Sequence, residues 1–175
     1  MSMPSKEQFF SLFDNPQSES VRKIQSELSE RRSDLVYEKD YFRVFCEVFC
    51  LNMDWKESIL DFLECLSEHL GTDILQVTID DDNESAEVHY RSNYSIFTSP
   101  ELDDFDDTAE TFVADIAKLQ AMLEQDYIIL MVNAHKYGVS DTLQFLVIPA
   151  ELWQQAESHY GTQHVSANFL TYGSA

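Results

Sequence analysis

Glycine and proline are scarce in this chain of 175 residues, four of each. That excludes a turn-rich all-β sandwich and a low-complexity linker. Cations are also few: 11 Lys and Arg face 32 Asp and Glu, for a formal net charge of −21. Seven of them (Lys6, Arg22, Lys23, Arg31, Arg32, Lys39 and Arg43) fall in residues 1–43 beside eight acids. Residues 44–175 hold only Lys56, Arg91, Lys118 and Lys136 against 24 acids. Phosphate contacts need clustered Lys and Arg, so direct nucleic-acid binding is excluded for that part, and anionic membranes repel it. No apolar run reaches transmembrane length, and the opening MSMPSKEQFF lacks the cationic lead and apolar run of a secretion signal. Cys46, Cys50 and Cys65 make no CxxC pair and leave an odd thiol. The expected compartment is the cytoplasm, with reduced, buried cysteines. Gly-rich phosphate loops, GxSxG elbows and HExxH pairs are missing, so neither a cofactor nor a catalytic residue is assigned.

What is present makes a core. Hydrophobic residues are 44% of the chain and aromatics 13%, enough for one domain over residues 1–175 that buries roughly two-thirds of its unfolded surface. The expected fold is α+β: helices over 1–70, then a mostly antiparallel sheet with helices packed on it over 72–175. Phe9, Phe10, Leu12 and Phe13 mark a first helix that Asn15-Pro16 stops. Val21, Ile24 and Leu28 mark a second over 19–32, carrying the one basic run, Arg31-Arg32. DYFRVFCEVFC, residues 40–50, has the β-branched and aromatic content of a strand but also fits a helical face; a third helix is expected, with Cys46 and Cys50 one turn apart on a buried side. Asp54 and Glu57 form a capping-box pattern ahead of the stripe Trp55, Ile59, Phe62, Leu63, Leu66 and Leu70, with Gly71 closing the helix.

Past Gly71 the period changes to 2. Strands are expected at 74–79, 86–91 and 94–98, with a turn at 80–85. A helix follows from Asp107 to about Glu124, its start capped through Asp107 and Glu110. YIILMVN, apolar on both faces, reads as a central strand. TLQFLVI is its antiparallel partner across a turn containing Gly138. Pro149 then suits the first position of a helix ending at Gly161, and 162–170 can add an edge strand.

Two acidic clusters stand apart from this pattern. ELDDFDDTAE, residues 101–110, has six carboxylates in ten residues, and Asp80-Asp81-Asp82-Asn83-Glu84 precedes it. Crowded negative charge weakens a compact state, and capping accounts for only part of it. The second cluster has Ser85 where a calcium loop needs glycine and lacks the distant bidentate Glu, so no metal is assigned. The candidate contact set is Asp80, Asp81, Asp82, Glu84, Asp103, Asp104, Asp106 and Asp107, with Phe105 as an aromatic anchor.

Met53-Asp54-Trp55-Lys56 and the later YIILMVNAHKYGVSDTLQFLVIPAELWQQA together resemble a family of small, largely uncharacterised bacterial domains. That family pairs an Asp-Trp-Lys helix start with a late strand-turn-strand ending in Val-Pro. Ser140-Asp141 and Val147-Ile148-Pro149 match the late motif, with Ile148 departing from it. The resemblance implies a fold more than an activity. The acidic α+β build also resembles the immunity proteins that bacteria pair with their own toxins. The expected function is therefore a non-enzymatic, immunity-type inhibitor of a basic partner such as a toxin nuclease. One alternative is a DNA mimic, for which a homodimer would extend the row of charges. Another is a small enzyme whose site has no recognisable motif.

Overall fold

The computed structural model describes residues 50–54, 57–99, 105–123, 126–133, 142–163 and 167–171, together with Ser26 and Cys46. The chain is α+β. Its elements run β1 (Leu51–Asp54), α1 (Ile59–Leu70), β2 (Leu75–Asp80), β3 (Ser85–Tyr90), β4 (Asn93–Thr98), α2 (Phe105–Met122), β5 (Tyr127–Val132), β6 (Thr142–Pro149), α3 (Ala150–Tyr160) and β7 (Phe169–Thr171). Instead of one sheet there are two, both antiparallel: four strands in the order β1-β6-β5-β7, and the meander β2-β3-β4. On its outer side β4 lies beside α2, where Lys118 Nζ donates to the Ile96 carbonyl at 2.5 Å. The first expected helix, marked by Phe9, Phe10, Leu12 and Phe13, and the second over 19–32 lie outside the described residues, apart from a helical Ser26. The Gly138 turn lies outside them as well. Of the 40–50 helix, Cys46 is helical, and the Cys50 amide donates to its carbonyl at 3.1 Å.

β5 and β6 are the central pair, and their two faces serve different compartments. Ile129, Phe145 and Val147 face a large core with Met53, with Phe62 and Leu66 of α1, with Ile116 and Leu119 of α2, and with Leu75, Val88 and Phe97 of the meander. Leu130, Val132, Leu146 and Ile148 face a second cluster with Trp153 of α3, Phe169, Cys46 and Cys50. This is why YIILMV carries no polar alternation. Phe62, Phe112 and Phe145 join α1, α2 and β6, with ring centroids 5.0 to 6.1 Å apart.

One helix start moves. Asp54 was expected to cap α1, but it ends β1, which pairs with Thr142–Phe145. Glu57 does reach back to the Asp54 amide, at 2.8 Å, yet that box closes only a turn. The cap of α1 is Ser58, whose Oγ accepts the Leu60 and Asp61 amides while Asp61 Oδ2 accepts the Ser58 amide at 2.7 Å. Gly71 closes the helix at φ +101, where an added Cβ would come within 2.8 Å of Asp73 Oδ1. Pro149 also moves by one place: it ends β6 and sits at the N-cap, so Ala150 is the first residue of α3.

Candidate protein-binding face

The acids at 80–84 sit on the β2–β3 hairpin. Asp80 caps a short 3₁₀ turn, Asp81–Asn83, and its carboxylate accepts the Asn83 amide at 3.2 Å and Asn83 Nδ2 at 2.7 Å. Those hydrogen bonds, the Asn83 side chain first, hold the Asp80 carboxyl below its ordinary range. Glu84 takes φ 45, and its carbonyl accepts the Ser99 amide at 2.9 Å, fastening the tip to the end of β4. Asp80, Asp81, Asp82 and Glu84 are all exposed there.

The other half of the candidate contact set divides. Asp103 and Asp104 lie outside the described residues. Phe105, Asp106 and Asp107 form the first turn of α2, so the helix begins two residues before the expected Asp107 cap. That helix runs back along β4: Asn93 Nδ2 donates to the Met122 carbonyl at 2.9 Å, and Lys118 meets Ile96. At 1.5 Å per residue, Asp106 and Asp107 lie roughly 16–18 Å up the axis from Lys118. Thr98, the last residue of β4, is only about 7 Å past Ile96. The acidic turn of α2 therefore lies toward the Thr98 end of β4, the end of the meander that carries the hairpin tip.

Sequence reasoning missed the face beside that tip. β2-β3-β4 buries Leu75, Ala86, Val88, Tyr90 and Phe97 on one side and leaves the other open. The cross-strand rows on the open side are Gln76–His89–Tyr94, Thr78–Glu87–Ile96 and Asp80–Ser85–Thr98. Tyr94 is 50% and Ile96 48% exposed. The His89 and Tyr94 rings stand 4.7 Å apart. The Tyr94 phenol is pushed up by desolvation and by Glu87, whose charge opposes ionisation and whose carboxylate accepts the hydroxyl. The signal was in NYSIFT: once Phe97 is placed inward, alternation puts Tyr94 and Ile96 outward.

Comparison with family models, curated proteins and solved structures returns no match.

A concavity of about 440 Å³ lies between the sheets, lined by Asp73, Ile74, Tyr90, Arg91, Asp126, Tyr127 and Pro149. Asp126 Oδ2 accepts the Tyr90 hydroxyl and Arg91 Nη1, both at 2.7 Å. Burial and that carboxylate push the Tyr90 phenol up to about 12. A phenol held neutral by an acceptor that Arg91 also engages makes a clasp between the sheets and a poor general base. Two of the thiols are similarly quiet. Cys50 is raised well above its ordinary value by its hydrogen bond with Cys46 and by burial. Cys65 is raised by desolvation and the acids around it, Glu57 first. Among the described residues, no group of three His, Cys, Asp or Glu is placed to hold a metal.

Proposed function

We propose that this chain is an acidic protein-binding inhibitor whose basic partner docks on the open face of β2-β3-β4. The observation that carries this reading is the pairing of half-exposed Tyr94 and Ile96 with carboxylates on the same face and tip: Glu87, Asp80, Asp81, Asp82 and Glu84. The acids steer a cationic surface inward, and the short-range energy comes from the aromatic and aliphatic centre. Neutralisation of a cationic enzyme, such as a toxic nuclease, fits such a surface, because carboxylates can occupy the sites meant for phosphates. A phosphate-like row would need no apolar centre, so Tyr94 and Ile96 weigh toward protein docking over DNA mimicry.

The test is affinity capture from the native source with wild type, Tyr94→Ala and Val113→Ser. Val113 is an exposed residue of α2 and serves as the control. Wild type and Val113→Ser are expected to retain one basic protein, released by roughly half-molar salt, where screening acts within a few ångströms. Tyr94→Ala is expected to lose it. Equal retention by all three, or a neutral partner indifferent to salt, sinks the reading.

A further inference from the structure

We infer that the outer edge of β2 receives the basic partner as an added β-strand, an extended segment in which cations alternate with apolar residues. This rests on the reading above that the partner is basic, and it names how part of that partner binds.

Backbone groups along an edge strand point alternately into the sheet and away from it. At Leu75 both groups point away: its amide donates to the Gly71 carbonyl at 3.0 Å, and its carbonyl accepts Ser67 Oγ at 2.7 Å. The alternation carries on to Val77 and Ile79, while Gln76, Thr78 and Asp80 bond across to β3. Among the described residues, the outward groups of Val77 and Ile79 meet no hydrogen-bond partner.

Two other edge stretches carry side-chain covers. Gln120 reaches from α2 to the edge of β5 beyond the short β7, its Nε2 donating to the Tyr127 carbonyl and its Oε1 accepting the Ile129 amide, both at 2.7 Å. Lys118 occupies the Ile96 carbonyl on β4. An edge is usually blunted by such covers, by Lys or by Pro. β2, LQVTID, has neither residue and is rich in strand-forming side chains.

Side chains set the chemistry of the guest. Gln76, Thr78 and Asp80 are exposed on the open face, with Asp81 and Asp82 beyond them. A strand laid beside β2 would bring alternate residues next to that polar, acidic row and the others over half-buried Val77 and Ile79. A second copy of this chain fits poorly: two antiparallel β2 strands would bring the Asp80–Asp82 of each against the Asp73 end of the other.

The test uses the full chain and two synthetic peptides. One is an alternating Lys-Val octapeptide with blocked ends; the other carries the same residues with alternate backbone nitrogens methylated, so that one edge cannot pair. The plain peptide is expected to bind and to slow hydrogen exchange at the Val77 and Ile79 amides, and the methylated one to bind roughly tenfold more weakly, the scale of two lost backbone bonds. Val77→Pro deletes an outward amide, a substitution edges tolerate, and also trims a half-buried side chain packed on the core; with an unchanged circular dichroism spectrum it should give the same loss as methylation. Equal binding of both peptides without amide protection overturns the strand account and leaves acidic docking standing. No binding of either, even at low salt, overturns both. Protection of Val77 and Ile79 that grows with protein concentration in the absence of peptide assigns the edge to a second copy and overturns the inference.

Discussion

Tyr90 and Gln120 show how much single side chains decide here. Tyr90 is 2% exposed, and its phenol is pushed up to about 12. The folded chain therefore holds this proton more tightly than the unfolded one. The resulting stability is fully present below about pH 10, the unfolded value, and is lost as pH rises to about 12. Urea unfolding across that window should show the loss in wild type, and Tyr90→Phe should remove that component. Gln120 completes the β5 edge with both ends of its amide. Gln120→Leu keeps the bulk but strands a carbonyl and an amide, at an expected cost of about 1–3 kcal/mol. Gln76→Leu on the exposed side of β2 should cost under about 0.5 kcal/mol by the same measurement.

At the scale of elements, local signals named most of the structure and misplaced its joints. The 3.6 and 2 periodicities identified α1, α2, α3 and the strands β2 to β4, each of which buries one stripe or face, while the unbroken apolar runs of β5 and β6 marked strands buried on both. They failed at β1, four residues whose partner, Thr142–Phe145, lies some 90 positions away; pairing at that distance leaves no local mark. Two capping patterns, Asp54 with Glu57 and Ser58 with Asp61, follow one another within eight residues, and the pairing of Asp54 in β1 leaves the helix start to Ser58. Accordingly, Ser58→Ala should lower stability by about 1 kcal/mol in denaturant titration, and Asp54→Ala by less. The candidate site was legible in part. Acid density singled out Asp80–Glu84, but Glu87, Tyr94 and Ile96 become neighbours only through strand register. Phe105, the anchor expected from sequence, is placed by backbone alone in the first turn of α2.

For the whole molecule, charge sets both stability and association. A net charge of −21 repels itself, so the melting temperature should rise as sodium chloride is raised from near zero to roughly half-molar. Partner association should slow over the same range. Replacing Asp81 and Asp82 with Lys should lower the association rate about tenfold or more while leaving the melting temperature within a few degrees. A stopped-flow series with wild type as reference checks both. The middle strands carry a further constraint. Alternate residues of β5 and β6 lodge in opposite compartments, the rings of Phe62 and Phe112 on one side and Trp153 on the other. Inserting one residue into either strand would therefore evict every tenant into the wrong room, whereas inserting two would return each to its own side and shift only its position along the strand.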